Sequence, residues 1–97
     1  MEGASARIWI EIPPDITRIV IGALTPEAET PSSNRSRVNL QPYTGGLLIE
    51  VEASDTAALR AAVNSYLHWI GGIMDIVKRL SRRELRGKRG LNLGEPL

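Results

Sequence analysis

His68 is the one histidine in the chain, and it is the first place to look for acid–base chemistry because imidazole changes charge near neutral pH. A general acid or base needs a positioned partner within hydrogen-bond reach. Helical spacing offers His68 only Asn64, Ser65 and Gly72, so it reads as a surface or interface histidine. Glu50 and Glu52 are the next candidates, two carboxylates on one strand face about 7 Å apart. A pair at that distance can serve a metal, but at strand spacing no third acid or histidine joins them. A solvated sheet face is the simpler account. There is no cysteine, which excludes disulfides, thiolate zinc sites and cysteine nucleophiles. Neither a Walker loop nor a GxGxxG is present. No catalytic residue, cofactor site or metal site is expected, and the chain reads as a non-enzyme.

Two other features could touch nucleic acid. Gly87-Lys88-Arg89-Gly90 matches the GxxG clamp that KH domains place between two helices. Only seven residues follow it, including Gly94 and Pro96, so a closing helix is not expected and the motif reads as part of a flexible basic tail. The charge distribution is the stronger signal. Residues 1–77 hold five basic and nine acidic side chains, a net −4; residues 78–97 hold seven and two, a net +5. Such an arm fits phosphate, through Lys78, Arg79, Arg82, Arg83, Arg86, Lys88 and Arg89, with Arg35, Arg37 and Arg60 contributing from the body. A solvated end that keeps the chain soluble is the competing account.

The elements that must position these groups follow from periodicity. Residues 6–12 alternate, with Ile8, Ile10 and Ile12 on one face and Arg7, Trp9 and Glu11 on the other, as in a half-buried strand. Pro14 suits a first helical turn. Ile16, Ile19, Val20, Ala23 and Leu24 share a face of the helix that follows, which Pro26 is expected to stop, leaving residues 25–34 as a loop. Residues 37–41 and 47–53 alternate again around a turn at 42–46, predicting a hairpin. Ser54 or Asp55 then caps a long helix that frays between Gly71 and Leu80. The order strand-helix-strand-strand-helix predicts a two-layer α+β domain over residues 1–80, with both helices on one face of a three-stranded antiparallel sheet. Residues 81–97 form the tail. Ninety-seven residues suffice for one thin core.

The helix over 54–77 is apolar around about half its circumference, whereas a surface helix needs a stripe only slightly wider than about 100°. Leu59, Val63, Tyr66, Leu67, Ile70 and Met74 are therefore candidates for contact with another protein. Tyr66 and Trp69 are the aromatic anchors there, against the alternative of ordinary core packing. Trp9 on the sheet's other face is surrounded by Glu11, Glu50 and Glu52, a poor platform for RNA bases. A three-stranded sheet also leaves open edges. A homodimer is expected, paired through the edge strand at Arg37, Val38, Asn39 and Leu40. Arg60, Asn64, His68 and Asp75 break the helix as a membrane span, and the N-terminus shows no signal-peptide pattern, so a soluble cytoplasmic location is expected.

The long helix also carries a resemblance. Asp55, Leu59-Arg60-Ala61-Ala62, Asn64-Ser65-Tyr66-Leu67 and Trp69 resemble the small dimerising subunit of the KEOPS (EKC) tRNA-modification complex, a CTAG-like family. Ala23-Leu24-Thr25-Pro26-Glu27 and Arg35-Ser36-Arg37-Val38 agree, and the likeness spans roughly residues 6–77. It implies a KH-like fold and a non-catalytic partner of the ATPase that makes threonylcarbamoyladenosine in tRNA. In that family the small subunit dimerises and docks its helices on the ATPase. Two positions depart from the pattern: His68 stands where the family usually has arginine, and Gly71-Gly72 interrupts the back of the helix, implying a weakened or bent last section. A free-standing KH-like RNA-binding protein is the alternative.

Overall fold

The computed structural model describes residues 3–29 and 35–94, with side chains described through Ser81. β1 (Ala4–Glu11), α1 (Pro14–Glu29), β2 (Ser36–Tyr43), β3 (Gly46–Ala53) and α2 (Thr56–Gly94) follow in the expected α+β order. The three strands form one antiparallel sheet in the order β1-β3-β2, so the hairpin's second strand lies in the centre. Alternation decides the faces. Ile8, Ile10, Val38, Leu40, Leu47, Ile49 and Val51 point into the core, where they meet Val20 and Leu24 of α1 and Tyr66 and Ile70 of α2.

Thr44 and Gly45 make the turn between β2 and β3 with φ of 44° and 76°. Two successive positive φ angles are the I′ geometry, whose twist matches that of the flanking strands. In such a hairpin the flanking pair, Tyr43 and Gly46, exchanges both backbone bonds, and bonded pairs recur at every second residue. Gln41–Leu48, Asn39–Glu50 and Arg37–Glu52 follow by register. The backbone groups of Val38 and Leu40 therefore face the free edge, as does the nitrogen of Pro42.

Three expectations are corrected. Pro26 does not stop α1, which continues to Glu29. Proline removes the N–H that would bond the Gly22 carbonyl, and next to it the Thr25 hydroxyl donates to the Ile21 carbonyl at 2.6 Å. The buried face of α1 is also rotated from the expected one. Thr17, Val20 and Leu24 are inside, while Ile19 and Ala23 are exposed. Thr17 can be buried because its hydroxyl donates to the Ile12 carbonyl at 3.3 Å.

α2 is the third. It neither breaks at Gly71-Gly72 nor frays before Leu80, but runs to Gly94. From Ile73 to Arg86 the sequence is mostly strong helix formers, and no proline occurs between Pro42 and Pro96, which explains the continuation. Gly87-Lys88-Arg89-Gly90 accordingly lies within α2 and not in a loop between helices.

Candidate partner and nucleic-acid interfaces

The helical layer is pinned at the start of α2. The Asp55 side chain accepts from the Ala58 N–H at 2.7 Å, and its carbonyl accepts from the Leu59 N–H at 3.0 Å, which makes Asp55 the cap. The Arg35 guanidinium pairs with the same carboxylate, and the Arg35 carbonyl accepts from the Ser54 N–H at 2.8 Å. The Ala58 N–H, aided by Arg35, holds the Asp55 carboxyl below its ordinary value of 3.8 against a smaller opposing effect of desolvation.

Beside this cap lies a cleft of about 260 Å³ between the C-terminal end of α1, the start of β2 and the first turns of α2. Small residues open it: Ala57, Ala58, Ala61, Ala62 and Ser65 line one wall. Glu27 and Arg35 contribute charge, and Tyr66 and Trp69 contribute rings. Those rings meet edge to face, with centroids 5.1 Å apart. Tyr66 is buried, and burial, with Glu27 nearby, pushes its phenol pKa up. Trp69 remains 38% exposed.

The residues expected to meet a partner divide sharply. Tyr66 and Ile70 belong to the chain's own core, at 7% and 2% exposure. Leu59, Val63 and Met74 are half-buried against that core. Leu67 alone of the six is exposed. Sequence reading turns Ile19 of α1 inward and so misses it as a surface residue, 49% exposed. The available signal is Thr17, a threonine two residues earlier that can satisfy its own hydroxyl and take the inward place.

The other sheet face is polar at its centre. Glu50 accepts from Asn39 at 3.2 Å and Gln41 at 3.4 Å, and pairs with Arg7 at 3.4 Å. Arg37 and Asn39 thus sit on this face with their backbones bonded to β3, while Val38 and Leu40 turn their side chains inward. Among the basic candidates, Arg37, Arg60, Lys78 and Arg79 are exposed, and Arg79 pairs with Asp75 at 3.1 Å. The side chains of Arg82, Arg83, Arg86, Lys88 and Arg89 lie outside those described, whereas the backbone of the tail expected over 81–97 is helical through Gly94. Among the described residues no metal-ligand cluster occurs, and no helix is long and apolar enough to cross a membrane.

Comparison with known proteins bears on what these surfaces serve. Residues 5–78 match the family described as Transcription factor Pcc1. The chain is also 38% identical over 72 residues to the KEOPS complex subunit Pcc1 of Pyrococcus abyssi (strain GE5 / Orsay), covering 73% of this chain and 88% of that protein. The matched region ends within α2, so it contains both helices' contacts with the sheet, the cap at Asp55 and the alanine-lined cleft. The chain belongs to the Pcc1 family.

Proposed function

We propose that the chain is the small, non-catalytic subunit of a KEOPS complex and supports threonylcarbamoyladenosine modification of tRNA. It docks its helical layer on the ATPase subunit, pairs with a second copy of itself, and lends basic groups to tRNA. The observation that carries the reading is the cleft between α1 and α2. It is walled by alanines that let a partner side chain approach the helix backbones, and rimmed by the half-exposed indole of Trp69. Aromatic residues at the mouth of a pocket are the usual anchors of a protein interface. Exposed Ile19 and Leu67 extend the apolar character of the same layer.

Self-association is supported by the open β2 edge, where the Val38 and Leu40 backbones have no partner strand among the described residues. The exposed cations on α2 support contact with phosphate. A free-standing KH-like RNA binder fits less well, because Glu50 sits at the centre of the sheet's outer face and the GxxG lies in a helix.

Ala61→Arg tests the docking. Ala61 is exposed and arginine is a good helix former, so the fold is retained while the cleft is filled. Co-purification with the ATPase subunit of the same organism should fall sharply, with an unchanged circular-dichroism melt. Normal co-purification by the folded variant would rule out this cleft as the docking site.

A further inference from the structure

α1 ends with charges opposite to those its own dipole favours. Glu27 and Glu29 lie in its last turn, and no basic residue stands with them. The carbonyls at a helix C-terminus already carry partial negative charge, so carboxylates there are stabilised by a cation from elsewhere. Glu27 is exposed and makes no hydrogen bond or ion pair among the described residues. Arg35, which lines the same cleft, is paired with the Asp55 carboxylate. Glu27 lines the cleft too, close enough to oppose ionisation of the Tyr66 phenol. The Tyr66 ring is buried, but its hydroxyl is open to solvent and has no partner among the described residues. Together with the half-exposed indole of Trp69, a carboxylate, a hydroxyl and an aromatic ring thus meet within walls of alanine.

We propose that the cleft receives an arginine side chain of the docking partner, with its guanidinium set against the Glu27 carboxylate and the Trp69 indole. Each feature of the cleft selects part of that side chain. A carboxylate accepts a guanidinium through paired, charge-assisted hydrogen bonds, and the negative end of α1 adds to the attraction. The indole attracts a cation placed over its face. Ala57, Ala61 and Ala62 leave room along α2 for the aliphatic stem, in a cavity of about 260 Å³. The Tyr66 hydroxyl can accept one further N–H. Lysine fits less well, because an ammonium is compact and strongly hydrated, whereas a guanidinium is planar, weakly hydrated and stacks on rings. A metal ion fits less well still, since no cluster of ligating side chains occurs among the described residues. The charge of the body agrees in sign: residues 1–77 carry −4, which draws a basic partner surface from a longer range. Glu27 is then a specificity contact as well as a wall of the cleft.

This contact rests on the docking proposed above, and its test keeps the two apart. The full chain and the ATPase subunit of the same organism are titrated against each other at low and high salt. Glu27→Gln keeps the volume and removes the charge, and Glu27→Lys reverses it. Both replace an exposed side chain and relieve the end of α1, so the thermal melt should not fall. The dissociation constant should rise by at least about tenfold for the glutamine variant and further for the lysine variant. Binding by the glutamine variant should also depend less on salt than binding by the parent. Surface arginines of the ATPase subunit are then changed to glutamate one at a time, and one such change should restore binding to Glu27→Lys. Parental affinity in both Glu27 variants overturns the cation contact. If Ala61→Arg still abolishes docking in that case, the cleft remains the docking site and takes an uncharged group. Parental affinity in Ala61→Arg as well removes the docking site itself. Weakened binding by Glu27→Lys that no arginine reversal restores overturns arginine as the entering side chain.

Discussion

The indole of Trp9 lies directly over the backbone of Gly46. A Cβ at position 46 would come within 2.7 Å of the Trp9 Nε1 and 2.3 Å of the Ile10 carbonyl oxygen. From that position Nε1 donates to the Tyr43 carbonyl at 2.8 Å. A side chain on β1 therefore crosses the first residue of β3 to hold the last residue of β2. Gly46→Ala should cost about 1–3 kcal/mol, because the Ile10 carbonyl is backbone and cannot move aside as a flexible side chain would. Trp9→Phe keeps a ring over the glycine but loses the donor, and should cost about 0.5–1 kcal/mol. Urea denaturation of the two variants checks the order; a Gly46→Ala variant as stable as the parent would mean the indole readily yields.

Thr44 is a second local feature of the same hairpin. It holds φ at 44° with a β-branched side chain, where I′ turns favour asparagine or glycine. Thr44→Asn should raise stability by about 0.5–1 kcal/mol without changing any packing contact. The measurement is the denaturation midpoint, and a lowered midpoint would show that the threonine side chain has a compensating role.

Alternation makes most of the sheet legible, because on β1 and β3 a period of two has only two possible faces. The helices are harder. Hydrophobicity assigns Ile19 and Ala23 inward, but Thr17 takes that volume once its hydroxyl finds the Ile12 carbonyl, a bond across the strand–helix junction that spacing alone does not reveal. Pro26 looks like a stop, yet α1 continues through it for three more residues. On α2 the apolar width is plain from sequence, yet which residues meet the sheet depends on where the sheet ends. Tyr66 and Ile70 lie over it, and Ile76 and Leu80 lie beyond.

Asp55 links the cap of α2 to pH. Its carboxyl is held below 3.8, so it favours the folded state when ionised. That contribution is fully present above the ordinary carboxyl value and is lost as pH falls through the lowered folded-state value. Asp55→Ala should lower the melting temperature at neutral pH, and the gap to the parent should close in acid below pH 3.8. Asp55→Asn keeps a capping oxygen for the Ala58 N–H but loses the charge that pairs with Arg35, so it should fall between the two. A gap that stays constant from neutral to strongly acidic pH would show that the carboxylate charge plays no part.

The basic segment should reveal itself through salt. Ending the chain after Ser81 keeps the core and the Asp55 cap, and removes Arg82, Arg83, Arg86, Lys88 and Arg89. Each cation that neutralises a phosphate releases bound counterion, so affinity falls with salt by about 0.7–0.9 logarithmic units per contact. If all five removed cations touch tRNA, the slope of log affinity against log salt should flatten by roughly 3.5–4.5 in the assembled complex. Fewer contacts give a proportionally smaller change. The loss should be similar for tRNAs of different sequence, because phosphate contacts position without reading bases. Lys78→Gln alone should flatten the slope by less than about one unit. Titrating tRNA into complexes carrying the full and shortened chains at two salt concentrations gives the slopes directly. Equal affinity and equal slope would assign the segment no contact with tRNA.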